Sequence, residues 1–333
     1  MNRIKNWSKV ADEYLELMSE AGRIGIVTDT AETSSGVGRV SRELAENFSE
    51  KGLEVVFYTI EGRISEEKTE ELEEEGVKVK EIGRGSSVDP REINQIRKIF
   101  EKDELDWINS HGFYLPMVAA FSNVNTLKTY HAHITAWSEV KKHPIHWIKW
   151  VLEEAPSVWL ADERVSISEY AAKQMKRFYL SGSEVIYNGI DTERFREKET
   201  DYRSKIGLPE DSYVVGSLSA LKKYKNQEKT LEIFTEEYAD KENSYLLLGG
   251  DGPRREPLEK KVSDLGIEDK TKFLGYVPDE DLVDFYNAID LFIYPSKWEG
   301  FGLPPLEAKL CGCETKISSS KTALKELNDL IID

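Results

Sequence analysis

At 333 residues the chain is long enough for two domains, each able to bury its own core. Its 45 basic against 62 acidic residues leave a net charge of −17, which argues against general affinity for nucleic acid or for an anionic membrane surface. With 39% hydrophobic, 10% aromatic and 32% charged residues, the composition is that of a globular protein and excludes a disordered chain.

The N-terminus lacks the apolar core of a secretory signal, and no stretch approaches the ~18 consecutive apolar residues of a membrane span. Trp7, Ala11, Tyr14, Leu15 and Met18 instead share one face of an amphipathic helix within residues 1–21, which is expected to pack on the body of the protein. Ile24–Val27 then reads as a strand, and Val37, Val40, Leu44 and Phe48 as the buried face of a helix. Val55–Tyr58, an acidic helix around Glu66 to Glu75, Val77–Val79, Trp107–Ile108, Leu127–Tyr130, Arg164–Ile167 and Glu184–Tyr187 continue the alternation. Strands separated by helices imply a parallel sheet.

A second series runs through Tyr213–Gly216, Tyr245–Leu248, Lys272–Leu274 and Asp290–Tyr294. Between the two series, Asp191 to Pro209 is polar and carries no convincing strand, so the interdomain connection is placed there. The fold class is therefore α/β, with two Rossmann-like parallel-sheet lobes facing a cleft: residues 1–190 and residues 191–333. Ligands of such sheets bind beyond the carboxyl ends of the strands.

Three segments carry candidate chemistry. The loop Ser34–Arg39 offers Gly36 and Gly38 at a helix N-terminus, a place suited to phosphate. A dinucleotide fingerprint would need a third glycine where Ser41 stands and an acid near Tyr58–Ile60, so a nicotinamide enzyme is disfavoured. The segment Tyr130–His133 follows a strand, and His111, His131 and His133 are three of the chain's five histidines. His131 and His133 could donate to a sugar hydroxyl or a developing charge; no third ligand at metal spacing follows them. The third segment, Tyr294 to Ala308, is a strand end, a glycine loop and a helix opened by prolines, with Glu299 and Glu307 flanking the turn. Their spacing alone says nothing, because 62 acids in 333 positions give about eleven such pairs by chance. Glycine amides at that turn could hold a diphosphate while the carboxylates accept from sugar and ribose hydroxyls.

From about Arg23 to Asp333 the chain resembles the retaining glycosyltransferases of the GT-B architecture, family four. The likeness rests on an ordered set. The first half contributes Gly36–Arg39 with Glu43–Ala45, Tyr130–Thr135, Ser168–Tyr170 and Val185–Asp191. The second adds Lys225–Asn226, Gly249–Pro253, Phe273–Val277, and the glutamate motif through Glu307–Ala308. The resemblance implies a nucleotide sugar on the second lobe, UDP- or GDP-linked, with Glu307 on the ribose, Lys225 on the diphosphate and Tyr276 by the base. It implies Glu299 with Phe301, Gly302 and Leu303 at sugar and phosphate, Gly38 near the diphosphate, and His131 or His133 at the transferred sugar. No cofactor and no metal are implied. The family also carries an arginine five residues before the lysine, where this chain has Ala220, and further helices beyond Leu327, so the second lobe reads as shortened.

The reading is thus a metal-independent, retaining hexosyltransferase with a glycan or lipid-linked hydroxyl acceptor. A non-catalytic subunit of the same fold and a sugar-nucleotide epimerase are the alternatives. The positive, aromatic stretch with Trp137, Trp147 and Trp150 suits the acceptor or a membrane surface. Two cysteines, Cys311 and Cys313, fit a reducing cytosol, with peripheral contact at the inner face of the membrane.

Overall fold

A computed structural model describes residues 5–32, 35–85, 89–131, 154–317 and 323–331. They form two compact units, Lys5–Gly189 and Ile190–Asp333. His133, Trp137, Trp147 and Trp150 lie outside the described residues.

In the N-terminal unit, helix α1 spans Trp7–Leu17 and strand β1 Arg23–Thr28. They are followed by α2 (Gly36–Glu50), β2 (Glu54–Thr59), α3 (Glu66–Glu74), β3 (Lys78–Glu81), α4 (Pro90–Lys102) and β4 (Trp107–His111). Next come α5 (Tyr114–Ala120), β5 (Asn125–Tyr130), α6 (Ala155–Trp159), β6 (Glu163–Ser166), α7 (Glu169–Tyr179) and β7 (Glu184–Val185). The strands pair in parallel in the order β3-β2-β1-β4-β5-β6-β7. Local chemistry sets the helix starts: Ser35, Asp89 and Ser168 each accept a hydrogen bond from a backbone N–H of the first turn, and Pro90 opens α4 where no N–H is needed.

The central strands are buried on both faces. Ile24 and Ile26 pack with α1 and α2, whereas Val27, Val56, Tyr58 and Ile108 pack with Phe100 and Leu115. Helix α1 is part of that core. Trp7, Val10, Ala11, Tyr14 and Met18 are all buried, and Gly189 leaves room for Trp7, whose ring and backbone a Cβ there would meet at 2.8–2.9 Å. The helix is shorter than residues 1–21, since Met18 already leaves helical geometry. The strand read over Glu184–Tyr187 is likewise only Glu184–Val185.

The C-terminal unit begins with α8 (Tyr202–Lys205) and β8 (Tyr213–Leu218), then a 3-10 turn over Lys223–Lys225. It continues through α9 (Gln227–Glu237), β9 (Ser244–Gly249), α10 (Arg255–Leu265), β10 (Thr271–Gly275) and α11 (Asp279–Asn287). It ends with β11 (Leu291–Tyr294), α12 (Leu303–Leu310), β12 (Glu314–Ile317) and α13 (Leu324–Ile331). All five strands are parallel, in the order β10-β9-β8-β11-β12. Strand β12 was not anticipated, because Glu314-Thr315-Lys316-Ile317 is a half-polar edge.

The polar stretch 191–209, where the interdomain connection is placed, packs into this unit. Phe195 is fully buried with its ring 6.1 Å from Tyr286, and Arg203 binds Asp290 and the carbonyls of Ala288, Glu210 and Ser212. Removing the Phe195 ring leaves a cavity in a packed core. Phe195→Ala is therefore expected to lower unfolding stability by about 3–5 kcal/mol, read from denaturant titration, with Phe195→Leu losing less.

Candidate functional site

In each sheet the strand order reverses once, between β1 and β4 and between β8 and β11. The loops after those strand pairs diverge, which makes their carboxyl ends the place for ligands. In the C-terminal unit the two loops are Ser219–Asn226 and Pro295–Gly302. They are tied together: Lys297 N donates to Tyr224 O (2.8 Å), Asn226 Nδ2 to Pro295 O (3.3 Å), and the Tyr224 and Trp298 rings stack at 6.3 Å.

That joining brings two expected residues into one cluster. Lys225 Nζ lies 2.6 Å from Glu299 Oε1, and both meet the phenol of Tyr294 at the end of β11. Burial, the largest influence, disfavours the Lys225 ammonium, but Tyr294, Glu299 and Tyr224 together outweigh it and hold the amine above its ordinary range. Lys225 is thus a fixed cation at the strand ends. Glu299, which the resemblance places at sugar and phosphate, is found paired to Lys225, which it places at the diphosphate.

Glu307 lies inside α12, is buried, and accepts from Tyr286 Oη at 2.7 Å. A buried carboxylate needs such donors, so the two glutamates answer to different partners. Between them, Gly302 is left-handed (φ 101°) and caps α12, while Phe301 and Leu303 are buried. The turn is less rich in amides than its glycines suggest, because Pro304 and Pro305 contribute no N–H to the first helical turn. Tyr276, just beyond β10, is exposed at 54%.

The Gly249–Pro253 segment has a structural task. Gly250 (φ 111°) donates its N–H to Gly275 O at 2.6 Å, and a Cβ on it would fall on Ser219 O. Leu221 N donates to Asp251 O (2.8 Å), so this segment braces the loop that carries Lys225. Gln227 completes the brace, donating to Ser219 Oγ (2.8 Å) and Ala220 O (3.0 Å). Ala220 itself supplies no cation where the family pattern has arginine.

In the N-terminal unit the corresponding strand ends hold Asp29, His111 and His131. The Asp29 carboxylate accepts from the N–H groups of Phe113 (2.6 Å), Tyr114 (3.0 Å) and Leu115 (2.9 Å), capping α5. Sequence reading missed it, although an acid directly after a buried strand was available as a signal. His111 and His131 are both buried with Nδ1 and Nε2 2.9 Å apart, so one imidazole must accept from the other. Gly38 donates to Ser35 Oγ inside the α2 cap, and a Cβ at this glycine would sit 2.8 Å from Thr30 O and 2.9 Å from Glu32 O. Close approach at Gly38 is thus already used by the chain's own backbone, whereas Gly36 faces open space. Among the described residues no group of three or more His, Cys, Asp or Glu side chains is placed to hold a metal ion, and no helix is long and apolar enough to cross a membrane.

Lys128, in the middle of β5, is buried and donates to Gly112 O at 2.5 Å. Burial pulls its amine down to about 8, with Glu154 and Asp29 opposing. The unfolded chain keeps the ordinary value near 10.5 and so binds the extra proton between pH 8 and 10.5. Stability should therefore rise with pH across that window relative to Lys128→Met. Urea midpoints of the two proteins measured from pH 7.5 to 10.5, roughly the span of the two values, check it.

Residues 34–194 match the family model Glycosyltransferase Family 4, and residues 198–328 match Glycosyl transferases group 1. Among curated proteins the chain is 29% identical over 175 residues to the O-antigen biosynthesis glycosyltransferase WclY of Escherichia coli, covering 52% of this chain and 48% of that protein. Over 61 residues, 18% of this chain and 13% of the relative, it is 48% identical to mannosylfructose-phosphate synthase of Agrobacterium fabrum. The chain thus spans about half, or less, of the length of these curated relatives. Its fold is similar to that of Anabaena HepE, solved with UDP and glucose (TM-score 0.75, 17% identity, 92% of this chain and 82% of that one). It also resembles WaaG, a glycosyltransferase involved in lipopolysaccharide biosynthesis (TM-score 0.71, 14% identity, 92% and 84%). Two parallel-sheet units, one matched by the Glycosyltransferase Family 4 model and the other by the Glycosyl transferases group 1 model, make this chain a family 4-type glycosyltransferase of GT-B fold.

Proposed function

We propose that the protein is a retaining glycosyltransferase that moves a hexose from a UDP- or GDP-linked donor to a hydroxyl acceptor, glycan or lipid-linked, without a metal ion or further cofactor. The observation that carries this reading is the part-buried Lys225–Glu299 pair at the carboxyl ends of β8 and β11, with the buried carboxylate of Glu307 one helix turn beyond the Gly302 cap. A fixed cation suits a departing diphosphate, and carboxylates suit sugar and ribose hydroxyls. The complex of HepE with UDP and glucose and the O-antigen role of WclY favour the same substrate classes.

In this reading the donor lies on the C-terminal unit. Glu307 accepts from the ribose, Lys225 meets the diphosphate, Tyr276 flanks the base, and Glu299 with the Phe301–Leu303 turn addresses sugar and phosphate. The bond from the anomeric carbon to the diphosphate oxygen breaks, and the electron pair leaves with the diphosphate, stabilised by Lys225. The acceptor oxygen forms its bond on the same face and gives its proton to the leaving oxygen, so no enzyme nucleophile is needed. His131 or His133 is assigned a hydroxyl of the transferred sugar. The protein acts in the cytoplasm, at the membrane face where the acceptor is lipid-linked.

Calorimetry with UDP-, GDP- and ADP-sugars on wild type, Glu307→Ala and Glu307→Gln tests the donor site. One nucleotide should bind wild type and lose at least about tenfold in both variants, the worth of a charged hydrogen bond. No binding by a folded wild type overturns the reading. Proton NMR of the transferred sugar should show the anomeric configuration of the donor, and chelator should leave the rate unchanged; inversion or loss of rate refutes those two parts separately.

A further inference from the structure

Tyr294 closes β11, and its phenol is buried between the two charges of the candidate donor site. It accepts from Lys225 Nζ at 2.9 Å and donates to Glu299 Oε1 at 2.9 Å, while Nζ lies 2.6 Å from that same oxygen. The three groups form a closed triangle. An ammonium has three N–H donors, and two of them go into the triangle. The ring of Tyr224 also lies 5.4 Å from Nζ, which sets an aromatic face beside the amine.

We propose that Tyr294 is a positioning residue for the diphosphate of the donor: it occupies one donor of Lys225 and shares one oxygen of Glu299, so that the third N–H of the lysine stays directed at a ligand phosphate. The inference rests on the reading that Lys225 meets a nucleoside diphosphate. Its physical basis is competition. Without the hydroxyl, the ammonium is free to turn and take both oxygens of Glu299, which neutralises the cation inside the protein. Burial, reinforced by the neighbouring Glu299 charge, keeps the phenol protonated well beyond the neutral range, so its O–H remains available as a donor. The ring itself has a separate packing task, stacked on Phe292 at 6.0 Å, which phenylalanine would preserve.

The quantity to measure is the diphosphate increment, the ratio of dissociation constants of a nucleoside monophosphate and its diphosphate. UMP with UDP, GMP with GDP and AMP with ADP serve as probes by calorimetry on wild type, Tyr294→Phe, Lys225→Ala and the double variant Tyr294→Phe/Glu299→Gln. Wild type should show an increment that Lys225→Ala abolishes. Tyr294→Phe should cut it about five- to tenfold with monophosphate affinity and melting temperature nearly unchanged. The double variant should recover most of the loss, because a neutral amide no longer captures the lysine. If Tyr294→Phe keeps the wild-type increment, or weakens mono- and diphosphate equally, the positioning role is refuted and the donor reading stands. If the double variant shows no recovery, competition by Glu299 is refuted. If Lys225→Ala keeps the increment, or no nucleotide binds wild type, the donor reading itself fails and this inference falls with it.

Discussion

The reversal of strand order between β8 and β11 is the constraint from which the C-terminal unit's chemistry follows. Two parallel neighbours whose following segments leave in opposite directions cannot cover their own carboxyl ends. The loops Ser219–Asn226 and Pro295–Gly302 must therefore satisfy each other's backbone groups at that crevice. They do so through Lys297 N to Tyr224 O and Asn226 Nδ2 to Pro295 O. Once these loops are joined, Lys225 and Glu299 meet, although 74 residues separate them in sequence. The N-terminal sheet makes the same reversal between β1 and β4 and spends it differently, with Asp29 after β1 capping the helix that follows β4.

Buried or half-buried charge is what both strand-end regions have in common. A lone charge taken out of water is costly by several kcal/mol, so each must be paired or hydrogen-bonded. Asp29 is satisfied by backbone N–H groups, Glu307 by Tyr286 among its donors, Lys128 by a carbonyl with carboxylates nearby, and Lys225 by a carboxylate and a phenol. These solutions differ in what they leave for a ligand. Asp29 already serves three amides and acts as a structural cap, whereas Lys225 keeps one N–H outside its triangle.

Much of this fold was legible because buried parallel strands write themselves as short apolar runs, as in Ile24–Val27 and Tyr245–Leu248. Where a strand is an edge, the run disappears: Glu314–Ile317 alternates with charge and carries no apolar run. The polar stretch after Asp191 shows no strand pattern, and its anchors, Phe195 and Arg203, are single residues in a charged context. At the site, Lys225, Glu299 and Glu307 were legible through their motif. Tyr294 and Tyr286 were not, since an aromatic ending a strand or lining a helix has the pattern of core, and only the hydroxyl's position reveals a polar task. The glycine at 38 was legible as a close approach, but the approaching group is the backbone of Thr30 and Glu32.

The turn between the two glutamates shows how packing elsewhere fixes site geometry. Gly302 is left-handed, and a Cβ on it would meet Leu324 Cδ2 at 2.8 Å and Leu327 Cδ1 at 3.0 Å, both on α13. The glycine is therefore required by its own backbone angle, and the leucines of α13 pack close against it. Because Pro304 and Pro305 follow with φ already fixed, the chain has little freedom between the Gly302 cap and Glu307. Helix α13 thus acts on the site through its packing against Gly302. It seats the turn, the turn sets where α12 begins, and the start of α12 places the Glu307 carboxylate against Tyr286, while Glu299 on the other side of the glycine is held by Lys225 and Tyr294.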